Sequence, residues 1–283
     1  MAGDSGKAPR RDSVGAYGLT LENVERARPL LVPALPDWPR LRIERKLGRS
    51  EARYDSLSER EAVLKLRSGG EIALDRDRGR ATFVLPHRVG TAELVHPLLA
   101  PAAAVVAYWL GREPFHASGF VRDGRVWGLI GDRGSGKSTT VARLALEGID
   151  IACDDLLVAD ALDVLAGPRS VDLRRDPAAH LQVGEALGVV GARERWRLRV
   201  GPVASRLPLV GWIFLAWGDR TEAVQLSASE RVARLGANRA VRVPSRNPAA
   251  LLDHAALPGW ELRRPRGFSS LQGAVQCLLE TVG

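Results

Sequence analysis

The stretch VWGLIGDRGSGKSTTVARLALEG, residues 126–148, constrains the fold more than any other. A short apolar run of β type is followed by a glycine-rich turn and then by apolar residues at helical spacing, with Gly148 where a helix stop belongs. Gly131, four intervening residues and Gly136-Lys137-Ser138 match the phosphate-binding loop pattern. Glycines allow successive backbone N–H groups to point inward at phosphates, a lysine reaches the β and γ oxygens, and a serine hydroxyl is offered to Mg²⁺. The expected nucleotide contacts are therefore Gly131, Asp132, Arg133, Gly134, Ser135, Gly136, Lys137, Ser138 and Thr139, with ATP and Mg²⁺ as the expected cofactors.

After that helix, the apolar run IDIAC ends at Asp154-Asp155. A right-handed crossover from one parallel strand to the next would bring this strand's end to the same sheet edge as the loop, so both carboxylates would face the phosphates. Two acids permit one to hold metal while the other takes a proton from an attacking hydroxyl; alternatively Asp155 only caps the next turn. Upstream, FHASGFVRDGRVWGLIG reads as two strands joined at Asp123-Gly124, a strong hairpin signal. Pairing Arg122 with Arg125 sets His116 opposite Gly131, where an imidazole can act as charge partner or proton carrier, or be structural only.

Elsewhere the pattern changes. Residues 15–86 carry short alternating runs broken by Gly-Gly and Arg-Gly turns, predicting a small antiparallel β region. GTAELVHPLLAPAAAVVAYWLGRE then reads as a helix that tolerates Pro101 in its first turn and stops near Gly111. From residue 115 on, strands alternate with helices. The expected organisation is a disordered tail at 1–14, a β-rich region ending in a helix at 15–110, and an α/β phosphate-loop domain at 111–283. The +8 net charge raises nucleic acid as a partner, but only four of the 41 basic residues are lysines and the arginines are scattered among acids, which reads as solvated surface. The first residues lack the apolar core of a secretory signal, and the longest apolar stretch is short and interrupted by Pro97 and Pro101, so no membrane span is expected. Cys153 and Cys277 are too few for a disulfide framework or a zinc site and read as thiols in a reducing cytoplasm.

His116, the loop GDRGSGKS at 131–138 and Cys153-Asp154-Asp155 stand in an order that resembles the HPr kinase/phosphorylase family, whose phosphate loop lies in a fold similar to that of phosphoenolpyruvate carboxykinase. The resemblance covers about residues 115–258. The family's magnesium-binding acid looks most like Asp172 in VDLRR, its late arginine-asparagine segment is similar to VPSRNPAALLD, which would put Arg246 and Asn247 near the acceptor, and GWIFLAWG fits the central strand. The resemblance implies transfer of the γ-phosphoryl group of ATP to a hydroxyl, most of all a serine of a peptide or small protein, as in relatives that phosphorylate lasso peptides. It implies Asp154 as base with His116 beside it, Lys137 on the transferring charge, Ser138 and Asp172 on Mg²⁺ with Asp155 as a further ligand, and possible homo-oligomers. Arg169, Arg193, Arg195, Arg197 and Arg246 are candidates for the acceptor or its phosphate, because a guanidinium meets oxyanions in a fork. Two rivals stay open: a kinase or nucleotidyltransferase acting on a metabolite, and a nucleotide-dependent regulatory or binding protein.

Overall fold

The computed structural model describes residues 13–283. The expected tail lies outside the described residues except for its last two, and Val14 already belongs to a strand, Val14–Ala16. The alternating runs before residue 86 build an eight-stranded sheet in the order 32–33, 14–16, 19–22, 40–47, 80–85, 71–75, 61–65, 56–57. It is mixed, not antiparallel: Arg40–Leu47 runs parallel to both Leu19–Glu22 and Arg80–Leu85. Parallel neighbours need a crossover between them. Here the crossovers are a 3₁₀ turn at Glu25–Leu30 with a short return strand, and a three-stranded antiparallel meander at 56–75, neither of which periodicity reveals.

The apolar segment after this sheet is broken where expected periodicity runs through. His96 has extended φ and ψ, and the regular helix is Leu99–Trp109, with Gly111 at φ +75° ending it. The segment Thr91–Trp109 is long and apolar enough by composition to cross a membrane. Its Leu99, Ala102, Ala103 and Ala107 are instead buried in the protein's own core, which runs without interruption from Ile43 and Phe83 of the first sheet to Phe115, Ala117 and Trp212 of the second.

The second sheet is organised around one long strand, Arg206–Trp217, matching the central position expected of GWIFLAWG. On one side it pairs parallel with Arg125–Gly131; on the other it pairs antiparallel with Asp163–Leu165 over its first residues and parallel with Gly259–Arg264 over its last. Both faces are covered, as near-continuous apolar strands require. Leu129 and Ile213 face the helices Lys137–Leu146 and Leu271–Thr281, whereas Ile130 and Trp212 face the shared core. A separate three-stranded sheet consists of Ser170–Leu173, Arg193–Arg199 and Glu185–Val190.

Trp212 is fully buried, edge-on to Phe115 at 5.2 Å, and donates its indole N–H to the carbonyl of His254 at 2.9 Å. Its ring lies over Gly128 on the neighbouring strand, so a Cβ at Gly128 would strike it. Gly128→Ala is expected to destabilise by about 1–3 kcal/mol, read as a lower Tm in a thermal melt.

Candidate functional site

The hairpin forms in the register set by its turn: Asp123 and Gly124 both take positive φ, and Arg122 pairs with Arg125 through to Ala117 with Ile130. Positive φ at both central residues gives the twist that suits a two-residue hairpin. Strand Ala117–Arg122 is antiparallel to Arg125–Gly131 and also to Ile151–Cys153. The two flanking strands therefore point the same way and end at one edge. The crossover through helix Lys137–Leu146 thus connects strands two places apart, with a hairpin strand inserted between them, yet the glycine loop and the acids still meet.

Between Gly131 and Lys137 the chain turns through Gly134 and Gly136, at φ +91° and +92°. Gly136 occupies the N-cap of the helix, no side chain caps that end, and the first N–H groups of a helix have no partner within it. This concentrates donors and positive dipole on the loop. The Lys137 ammonium folds back onto the carbonyl of Gly131 and, at 3.4 Å, that of Asp132. Desolvation holds its pKa below the usual lysine value despite the pull of Asp154 and Asp155.

Asp154 is 1% exposed and directly follows strand Ile151–Cys153. Its Oδ1 accepts from Ser118 Oγ at 2.7 Å and from Ser138 Oγ at 3.3 Å, while Oδ2 is buried with no hydrogen-bond partner. Burial first, and the neighbouring Asp155 second, push its pKa up to about 7. Asp155 is half-buried, at φ +65°. Its carbonyl lies 3.1 Å from His116 Nδ1. The imidazole is exposed at the rim, and partial desolvation and then the Lys137 charge keep its pKa low. Loop, acid pair and histidine are thus brought together.

Three further residues join the site without having been read from the sequence. Ser118 lies two residues after His116 along an alternating strand, a spacing that could have disclosed it. Tyr17, from the first sheet, places its hydroxyl 3.5 Å from the carbonyl of Asp154, a contact across 137 residues with no sequence signal. Arg264, at the end of the strand beside Arg206–Trp217, presses against the loop: a Cβ at Gly136 would lie 2.6 Å from its Nη2. The guanidinium is 4% exposed, stacks on Trp217 at 4.4 Å, and bonds through Nη1 to Gly267 O at 2.9 Å and Ser270 Oγ at 3.1 Å. Its Nε is buried without a partner, and no carboxylate among the described residues pairs with it. Desolvation alone lowers its pKa, which is the mark of an uncompensated buried cation.

Other expected site residues are committed elsewhere. Asp172 is corrected as a metal ligand: Arg197 donates to both its oxygens, at 2.8 and 2.9 Å. Register explains this, because Asp172 stands opposite Arg197 on adjacent antiparallel strands. The same pairing, plus a bond to the carbonyl of His96, withdraws buried Arg197 from any acceptor role. Arg169 is also a staple: it donates to the carbonyls of Ile151, Ala152, Gly167 and Gly201, bracing the strand that carries the acids. Arg246 pairs with Glu59 and lies over Tyr108, bridging to the first-sheet region, and Asn247 caps helix Pro248–Ala256 by accepting from Ala250 N at 3.3 Å. Arg193 and Arg195 are half-buried on one strand, and Arg195 lies 3.9 Å from Asp172 and donates to the carbonyl of Val190 at 3.4 Å.

A metal fits only in one way. No three His, Cys, Asp or Glu side chains converge among the described residues, so a closed protein cage is not built. The Ser138 hydroxyl beside a carboxylate is the sparse donor set that Mg²⁺ uses when substrate phosphates complete its shell.

No protein-family model matches the chain, and no curated protein matches it. Among solved structures it is similar to the HPr(Ser) kinase/phosphatase from Coxiella burnetii, at 10% identity and a TM-score of 0.32, over 60% of this chain and 90% of that one.

The folded protein keeps the Asp154 proton up to about pH 7, whereas an unfolded aspartate loses it near pH 4. Folding takes up a proton in that window, so stability falls as pH rises from about 4 to 7 and levels off above. Asp154→Asn should remove this decline, raising stability by on the order of 2–4 kcal/mol above pH 7 and leaving it unchanged in acid, as followed by Tm against pH without nucleotide.

Proposed function

We propose that the protein is a kinase that moves the γ-phosphoryl group of ATP to a hydroxyl, with a serine of a peptide or small protein as acceptor. The observation that carries this reading is the buried Asp154 carboxylate, with one oxygen bound to the loop serine and the other unpartnered, at a pKa of about 7. A general base works best with a pKa close to the working pH. The acceptor oxygen attacks the γ-phosphorus, the bond to the bridging β–γ oxygen breaks, ADP departs, and the hydroxyl proton passes to Asp154. Ser118 orients the carboxylate, and His116 stands by Asp155 to share or tune that proton. Lys137 leaves the loop carbonyls for the phosphates, and the loop N–H groups hold the remaining oxygens. Arg264 finds in the nucleotide's phosphates the counter-charge that the protein withholds. Ser138 and Asp155 would hold Mg²⁺, which when bound neutralises charge on the β and γ oxygens.

Lys137→Ala should abolish turnover, whereas Asp154→Asn should keep MgATP affinity nearly intact and remove transfer, as measured by calorimetry and labelled ATP. Equal loss of binding in both would contradict the assignment. Arg264→Gln should weaken MgATP by about tenfold or more, consistent with removal of a charge-assisted contact; Trp217 fluorescence provides the titration signal.

A further inference from the structure

Unlike most arginines in this chain, one group stands without partners. Arg67, Arg133, Arg174 and Arg193 make no ion pair and no side-chain hydrogen bond among the described residues. They come from separate places: the turn after strand Glu61–Lys65, the glycine loop, the end of strand Ser170–Leu173 and the start of strand Arg193–Arg199. Register groups three of the arginines on one face, and the charges of Arg133, Arg174, Arg195 and Arg67, after burial, hold the pKa of Arg193 below the usual value. Leu173 pairs with Trp196, so one further step sets Arg174 against Arg195, and alternation puts Arg193 and Arg195 on a single face. Of the acids on that face, Asp172 is held by Arg197 and lies 3.9 Å from Arg195 Nη1, and Glu185 lies beside Arg199. Opposite Arg195 and Arg193 stand Gly188 and Val190, which supply no charge.

Like charges gathered around a single carboxylate, which Arg197 already holds, cost stability, and the cost persists where a ligand supplies the missing sign. The nucleotide's phosphates already have the loop amides, Lys137 and Arg264. Four unpaired guanidinium groups from four segments, with Arg195 sharing Asp172 beside them, reach from the first sheet to the glycine loop and call for several anionic groups on a second ligand.

We propose that this patch binds the acceptor through clustered anionic groups, and that the acceptor hydroxyl lies in an acidic peptide segment. This rests on the kinase reading above.

The test uses the full chain and a labelled peptide with a central serine flanked by glutamates, against its glutamine counterpart, by fluorescence anisotropy. The acidic peptide should bind at least about tenfold more tightly, lose that margin with added salt, and lose it in Arg174→Gln/Arg193→Gln. That double variant breaks no ion pair, should melt like the parent, and should keep its MgATP affinity. Equal binding of the two peptides would overturn the proposal, as would a variant that loses MgATP rather than peptide. A sugar phosphate or a short duplex DNA that displaces the peptide at lower concentration would overturn the peptide as source of the anion. If the acidic preference stands but no phosphate is transferred, the kinase reading fails and the patch survives.

Discussion

A carboxylate removed from water must be given something in return, and much of the site follows from what Asp154 receives. Ser118 from the hairpin and Ser138 from the loop helix donate to the carboxylate, and Tyr17 from the first sheet donates to the main-chain carbonyl, so three distant segments meet around one residue. The exchange is incomplete, since one oxygen lacks a partner and a second acid follows directly. The protonated form is therefore favoured up to about neutrality. An unpartnered buried oxygen beside a donor-rich loop makes Asp154 the leading candidate for a functional group.

The surrounding charges divide into two kinds. Some arginines are structural, such as Arg169 on strand carbonyls and Arg197 on Asp172, and these are buried and engaged by acceptors of the protein itself. Others are unsaturated. Arg264 is buried beside Gly136 with no acid paired to it, and Arg193, Arg174, Arg133 and Arg67 form no ion pair among the described residues. Composition cannot separate the two kinds, because an arginine's role depends on which acid the fold delivers to it.

Much of the site was legible because its spacings are local. The glycine loop, its strand and its helix lie within 23 consecutive residues, and the Asp123-Gly124 turn sets the hairpin register by backbone geometry alone. Asp172 was misread for the opposite reason. Its partner lies 25 residues away across a further strand, and that pairing, not the neighbouring sequence, consumes the carboxylate. The first sheet's parallel pairings escaped notice likewise, since alternation reveals a strand but not the direction of its neighbour.

By itself the sequence determined the strand, loop and helix at 126–148, the acid pair after them and the hairpin before them, because glycine conformation, turn chemistry and periodicity act over a few residues. Only the tertiary structure decided which charges are spent and which are free: Arg197 neutralises Asp172, Arg264 waits at the loop, and Tyr17 reaches Asp154 from the other sheet. Those outcomes depend on long-range packing and register, where a one-residue shift would exchange every partner.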